Sequence, residues 1–433
     1  MRNGCPCSCQ FAGRAHPCRM LLAATPGNLG KRLYVWYNAT VAKSGVKRSF
    51  SMRYRTFGQL DWKPSALGFG AMRLPVLDND HGKIDEPEAT RMIRYAIDHG
   101  VNYLDTAYPY HKGTSETFLG RALQDGYRER IKLATKLPCW KVETFEDFDR
   151  LLNEQLSNLQ TDRIDFYLLH SLDGESWPKM RDLNVLTWAE KALADGRIGY
   201  LGFSFHDKYE VFQEIVDASD LWTFCQIQYN LMDVGEQAGT KGLGYAAGKG
   251  LAVVIMEPLR GGALARNIPP AVQALWDGAP VRRTPADWAL QWVWNHPEVS
   301  LLLSGMSTFE QVEENLVSAD RSGLGTLSAE ELSLVDCVRE AYRALCAVPC
   351  TTCKYCLPCP SGVDIPEVFS IYNDYLMYGD DKRSQMFYGW LDEKTRADQC
   401  VECGECLEKC PQQIEIPDWL KKAHDLLSQK QQT

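Results

Sequence analysis

Eight short runs rich in Val, Ile, Leu and Phe, each followed by a longer amphipathic stretch, constrain this chain more than any other feature. The runs are Ser65–Met72, Val101–Ala107, Ile131–Leu137, Asp165–His170, Tyr200–Phe205, Phe224–Tyr229, Leu251–Met256 and Ser300–Gly305. Short continuous apolar runs read as strands buried on both faces. The stretches between them, among them Glu88–Gly100, Phe145–Leu159, Trp188–Gly196 and Thr308–Ser318, read as helices. Thr144 and Ser307 are placed to cap helix starts, and Gly100 and Gly196 to close helices where a left-handed residue is useful. Eight such units in about 270 residues predict an α/β chain with a (β/α)8 barrel of the TIM type, whose usual size is ~250 residues. An open doubly wound sheet shows the same alternation. No Gly-x-Gly-x-x-Gly follows the first run, however, and the barrel is preferred.

The remainder of the 433 residues leaves room for an appendage. A net charge of -9 argues against nucleic acid as the main partner, and no long apolar run predicts a membrane span. Residues 1–51 hold eight Lys or Arg and no Asp or Glu, without a lasting apolar period. They are expected to be a disordered extension; a basic arm or an organellar presequence is the competing reading. Eight of the 16 cysteines fall in two tight clusters, Cys350–Cys359 and Cys400–Cys410. Closely spaced Cys-x-x-Cys repeats in an enzyme-like chain read as metal ligands and imply a reducing, cytoplasmic setting.

A barrel carries its reactive residues at the C-terminal ends of its strands. Asp105 and Tyr110 follow the second run, Lys136 lies at the end of the third and His170 ends the fourth. The stretch Asn-Tyr-Leu-Asp-Thr-Ala-Tyr-Pro-Tyr at 102–110, followed by Ser115-Glu116, together with Ala-Thr-Lys-Leu at 134–137 and Tyr-Leu-Leu-His at 167–170, resembles the aldo-keto reductases. The resemblance runs from about Met52 to about Ser322, and Tyr54–Lys63 corresponds to the family's hairpin across the barrel floor. It implies Tyr110 as acid/base, Lys136 and Asp105 as the pair that tunes it, and His170 as the group orienting the carbonyl. The chemistry is reasonable for these residue types. A phenol with an ordinary pKa of ~10 is a poor acid at neutral pH, and an adjacent ammonium held by a carboxylate stabilises the phenolate.

The same resemblance implies an NADP or NAD site. Ser204 and Gln226 match positions that hold the nicotinamide carboxamide, and Met256 stands where a residue stacks on the ring, with Leu259 a further cofactor contact in the same Met-Glu-Pro-Leu-Arg-Gly-Gly segment. Gly305, Ser307, Gln311, Glu314 and Asn315 belong to the run that grips the adenosine half, where Ser307 starts a helix facing phosphate. Phe205 replaces the usual Asn, and Met256 the usual aromatic residue. Gly305 and Gln311 stand where cations commonly clamp the 2′-phosphate, and Arg260 is a candidate substitute.

Cys350-x2-Cys353-x2-Cys356-x2-Cys359-Pro is followed by Cys400-x2-Cys403-x2-Cys406-x3-Cys410-Pro, and the second run is the bacterial ferredoxin pattern. Pro-Ser-Gly-Val-Asp-Ile-Pro and Pro-Gln-Gln-Ile-Glu-Ile-Pro continue the two runs, making an internal repeat, and Pro366–Ala397 between them reads as helical. The region resembles the α-helical ferredoxins with two [4Fe-4S] clusters. In such pairs the fourth Cys of each run serves the other cluster. The expected sets are therefore Cys350, Cys353, Cys356 and Cys410, and Cys400, Cys403, Cys406 and Cys359. Four-thiolate zinc sites are the alternative, although they need no third and fourth Cys in one run. Cys139, Cys225, Cys337 and Cys346 are read as small hydrophobes, with Cys346 in reserve as a ligand.

The expected division is an extension at 1–51, a barrel at 52–325, a connecting helix at 326–345 and a cluster domain at 346–433. The expected function is NAD(P)H-dependent reduction of a small carbonyl-type substrate, with clusters that pass electrons to or from a redox partner protein or only support the fold. The competing reading is an electron-transfer or assembly subunit whose barrel has lost nicotinamide chemistry. Trp140, Trp177 and Tyr108 are candidates to line the substrate pocket.

Overall fold

The computed structural model describes residues 51–379 and 381–429; apart from Ser51, the expected extension lies outside the described residues. Eight parallel strands close into a barrel in sequence order. They are β1 (Leu67–Gly70), β2 (Tyr103–Asp105), β3 (Lys132–Leu137), β4 (Ile164–Leu172), β5 (Ile198–Phe205), β6 (Trp222–Gln228), β7 (Ala252–Met256) and β8 (Val299–Gly305). Closure is by β8 against β1, with Leu67 opposite Leu302 and Gly70 opposite Gly305. All eight predicted runs form strands. Each is buried on both sides because helices cover the outside and other strands the inside.

The predicted caps are displaced. Thr144 does not cap the helix Glu146–Asn158; the Asp147 carboxylate instead accepts the backbone N–H groups of Glu143 and Thr144 at 2.9 Å. Thr308, not Ser307, caps Phe309–Asp320, accepting from the Gln311 N–H at 3.4 Å. The Ser307 hydroxyl donates to the Arg73 carbonyl instead, at 2.8 Å.

A hairpin crosses the barrel floor. The Arg55 N–H donates to the Pro64 carbonyl at 2.9 Å, and the Ala66 N–H to the Arg53 carbonyl at 2.8 Å. Between these bonds the chain turns and drives Phe57, fully buried, into the barrel, with ring centroids 4.9 Å from Phe166 and 5.5 Å from Trp62. The turn needs Gly58. Its φ is +54°, and a Cβ there would stand 2.7 Å from the Ala252 nitrogen and the Gly250 carbonyl oxygen.

The helix Ala329–Arg343 opens with a capping box between Ser328 and Glu331 and buries Val335, Val338 and Tyr342 in the same core as the barrel's outer helices. The cysteine-rich region beyond it has its own core, which includes Val363, Phe369, Ile414, Ile416 and Leu420. Its helices are Ile365–Tyr378, Asp381–Trp390, Glu405–Lys409 and Ile416–Leu427. The sequence repeat is structural: each Cys-Pro run leads into a helix with Pro in its first turn, behind Asp364 in one copy and Glu415 in the other. No helix of the described residues is long and apolar enough to cross a membrane.

Candidate functional site

The ends of β2, β3 and β4 bring four side chains together at one mouth of the barrel. Lys136 is almost wholly buried, and its Nζ donates to Asp105 Oδ1 at 2.7 Å, to the Thr106 carbonyl at 2.8 Å and to Tyr110 Oη at 3.3 Å. Tyr110 arrives from the short turn Tyr110–Gly113 after β2, and its ring meets the edge of His170 at 6.3 Å. The four residues predicted for this role are therefore neighbours.

Their electrostatics follow from burial. Desolvation pushes the Asp105 carboxyl up, against the pull of Lys136. Desolvation also works against the Lys136 charge, but Asp105 and Tyr110 outweigh it and hold the ammonium above its ordinary range. Tyr110 is raised by burial, while Lys136 opposes that rise and Asp105 adds to it. His170 is held well below 6.5 by desolvation, helped by the Lys136 and His206 charges, so its imidazole is neutral near pH 7. His170 Nδ1 and Asp105 Oδ2 have no hydrogen-bond partner among the described residues.

Behind the mouth a second network fixes β3. Buried Glu116 accepts from Thr135 at 2.7 Å and from Gln155 at 2.6 Å, and Gln155 also donates to the Lys136 carbonyl at 3.0 Å. Tyr167 donates to Gln155 at 2.7 Å. Every polar end here is tied to the strand that carries Lys136, which limits its freedom to leave Asp105.

Around the same mouth, Ser204 and Gln226 stand opposite one another on β5 and β6. Ser204 Oγ accepts from the Ser171 N–H at 2.8 Å; Gln226 Nε2 faces Met256 Sδ at 3.8 Å, and Gln226 Oε1 is buried without a partner among the described residues. That orphaned acceptor beside Met256 is suited to an amide group of a ligand. Phe205, at the position of the expected Asn, points into the core against Phe212. Leu259 begins the turn after β7. Gly305 ends β8, Ser307 follows in the turn and Gln311 lies in the first turn of the helix Phe309–Asp320, with the Ser307 N–H donating to Gln311 Oε1 at 2.8 Å. Buried Asn315 donates to Ser304 Oγ at 3.0 Å, while burial, with Glu310 beside it, pushes the Glu314 carboxyl up.

Two sequence expectations fail here. Arg260 is not available to clamp a phosphate, because it is committed to Asp233 at 3.1 Å and Asp374 at 2.8 Å and lies over the Tyr378 ring. Trp177 is fully buried against Trp222 and lines nothing. Trp140 is half exposed with its ring 5.2 Å from His170, and Tyr108 donates to Glu154 at 3.0 Å. Sequence reasoning missed Arg73, Glu257 and Arg383, which meet beside Met256: Glu257 lies 3.8 Å from Arg73 and 3.1 Å from Arg383.

In the cysteine region a cavity is lined by Cys350, Cys353, Cys356 and Cys410, with Phe369, Ile414 and Ile416 behind them. The Cys406 thiol, raised by burial, has Cys400, Cys403 and Cys359 as neighbours. Among the described residues no three His, Cys, Asp or Glu converge on a single ion position. A cubane does not require such convergence, since each thiolate binds its own iron. Cys139 and Cys225 are buried in the core between the strands and the outer helices, where desolvation raises Cys139 to about 12. Cys337 and Cys346 are half-buried.

The closed barrel with this strand-end constellation defines an oxidoreductase scaffold. The profile of the Aldo/keto reductase family matches residues 66–340, and that of the 4Fe-4S dicluster domain matches residues 349–415. The chain belongs to the aldo/keto reductase family and carries a 4Fe-4S dicluster domain behind the barrel. It is 26% identical over 314 residues to L-galactose dehydrogenase of Arabidopsis thaliana, covering 67% of this chain and 95% of that one. The holo form of an aldo-keto reductase from Bacillus halodurans superposes with a TM-score of 0.56 at 28% identity, covering 66% of this chain and 96% of that one. An aldo-keto reductase from Klebsiella pneumoniae in complex with NADPH gives 0.53 at 26% identity, with coverage of 67% and 95%.

Proposed function

We propose that this chain reduces a carbonyl-type small molecule with NAD(P)H at the barrel mouth, and that its C-terminal domain binds two [4Fe-4S] clusters. The reading rests above all on the Lys136 ammonium bridging Asp105 and Tyr110 at a strand-end mouth. The dinucleotide, when bound, supplies hydride to the carbonyl carbon. Tyr110 Oη then gives its proton to the developing alkoxide, and burial keeps that phenol protonated at neutral pH beforehand. Lys136 stabilises the phenolate left behind, and Asp105 holds the ammonium in reach. Neutral His170 orients the carbonyl by a hydrogen bond from its ring. Ser204 and the orphaned Gln226 Oε1 would hold the carboxamide, Met256 and Leu259 would support the nicotinamide end, and Gly305, Ser307, Gln311, Glu314 and Asn315 would hold the adenosine half.

The cavity among Cys350, Cys353, Cys356 and Cys410 supports one cubane set, and the neighbours of Cys406 support Cys400, Cys403, Cys406 and Cys359 as the other. The domain limits follow as 52–325 for the barrel, 326–345 for the helix that follows it and 346–433 for the cluster domain. Thiolates in this number fit a cytoplasmic, reducing setting and a protein redox partner.

The test is an anaerobic preparation with iron and sulfide counted, then titrated with NADPH and NADH. About eight irons per chain are expected from two cubanes. Tyr110→Phe is expected to abolish NAD(P)H oxidation with the clusters intact; unchanged turnover removes Tyr110 from the mechanism. Full iron without nicotinamide binding moves the chain to an electron-transfer subunit.

A further inference from the structure

Two guanidinium groups from distant parts of the chain meet over the loop that follows β7. Arg73 comes from the turn after β1 and lies across the end of β8: a Cβ on Gly305 would stand 3.2 Å from three carbons of its side chain. Arg383 comes from the helix Asp381–Trp390 of the cysteine domain. A Cβ on Gly261 would meet Arg383 Nη1 at 2.1 Å and Arg73 Nη2 at 2.9 Å, so both cations reach the same bare stretch of backbone. Gly261 and Gly262 both have positive φ, +65° and +96°, and give that loop no side chain with which to fill the space. The carboxylate of Glu257 lies between them, 3.8 Å from Arg73 and 3.1 Å from Arg383.

In (β/α)8 barrels the loops after the seventh and eighth strands commonly receive phosphate. Here those loops begin at Glu257 and Met306. Of the cations in the β7 loop, Arg260 is taken by Asp233 and Asp374, and Arg266 donates to the Gly261 carbonyl at 3.0 Å; Gly305 and Gln311 are neutral. Arginine forks suit phosphate geometry, and a pair of them over a glycine backbone makes a cradle for it.

We propose that Arg73 and Arg383 together receive a phosphate group of the nicotinamide dinucleotide, Glu257 holding the two guanidinia in place until the phosphate displaces it. The cysteine domain thereby completes the cofactor site of the barrel. This rests on the nicotinamide reading above and adds to it a ligand from outside the barrel.

Binding of NADPH and NADH to the cluster-loaded full chain is measured anaerobically by fluorescence titration. Arg383→Ala and Arg73→Ala are each expected to weaken binding roughly tenfold or more, with iron content and visible spectrum unchanged. Loss for both dinucleotides assigns the cradle to the pyrophosphate, and loss for NADPH alone assigns it to the 2′-phosphate. Arg383→Lys, which keeps the charge but not the fork, is expected to fall between. Glu257→Gln is expected to tighten binding, and that gain should vanish in the Arg73→Ala/Arg383→Ala background. A merely structural Arg383–Glu257 pair predicts the opposite sign for Glu257→Gln. Unchanged affinity in Arg383→Ala, or weaker binding in Glu257→Gln, overturns the cradle and leaves the nicotinamide reading standing. Absence of dinucleotide binding in the wild type overturns both.

Discussion

His170 is the residue whose chemistry is most altered by its place in the barrel. In the unfolded chain its imidazole protonates near 6.5, but in the folded protein burial, Lys136 and His206 hold that event well below 6.5. Between those two values the unfolded chain carries more protons, so stability falls as the pH drops below about 6.5. His111 and His206 are lowered as well, chiefly by burial, and contribute in the same direction. Urea unfolding of the anaerobic protein from pH 5 to 8 is expected to show this decline, and His170→Asn to make it less steep. An identical slope in the variant counts against a depressed His170. The four residues of the mouth were legible because each lies at a strand end within a recognisable local segment. Arg260 was not legible, because a cation's partner is not written beside it: Asp374 lies 114 positions away. The same holds for Arg383 and Glu257, separated by 126 positions.

Secondary-structure elements were readable where periodicity governs them. All eight strands form, yet β2 keeps only Tyr103–Asp105 of the predicted Val101–Ala107: the Thr106 N–H donates to the Ala134 carbonyl of β3 at 2.9 Å, and Ala107 already accepts from the Tyr110 N–H in the turn that follows. Cap positions slipped since Ser, Thr and Asp compete for the same few N–H groups, and at 143–147 the Asp147 carboxylate prevailed. The floor hairpin was legible as a family feature, but its energetic role depends on packing that no local pattern carries. Phe57 inserts among Trp62, Tyr103, Phe166 and Phe224 with no exposed surface. Phe57→Ala should therefore destabilise the barrel by about 3–5 kcal/mol, the usual loss for emptying such a site. Urea unfolding followed by tryptophan fluorescence measures it, and a loss below ~1 kcal/mol would mean the floor collapses to fill the gap.

At the scale of the whole molecule, the cysteine domain is held to the barrel at the mouth rather than at the floor. Arg260 of the β7 loop is clasped between Asp233 of the barrel and Asp374 of the helix Ile365–Tyr378, under the ring of Tyr378. Arg383 reaches Glu257 from the next helix. Both links land on the loop that leads from Met256, so anything that loosens the domain also frees that loop. Asp374→Ala isolates this effect. Removing one partner of a buried pair ordinarily costs ~3–5 kcal/mol, but Asp233 still pairs Arg260, and the loss should fall below that range. Hydrogen exchange is expected to quicken in 257–264 and 365–390 while β2 to β4 keep their protection. The altered loop is then expected to weaken dinucleotide binding without changing Asp105, Lys136 or Tyr110. If exchange quickens only in 365–390, the domain is tethered to the barrel by something other than Arg260, and cluster loss would leave the loop after β7 intact.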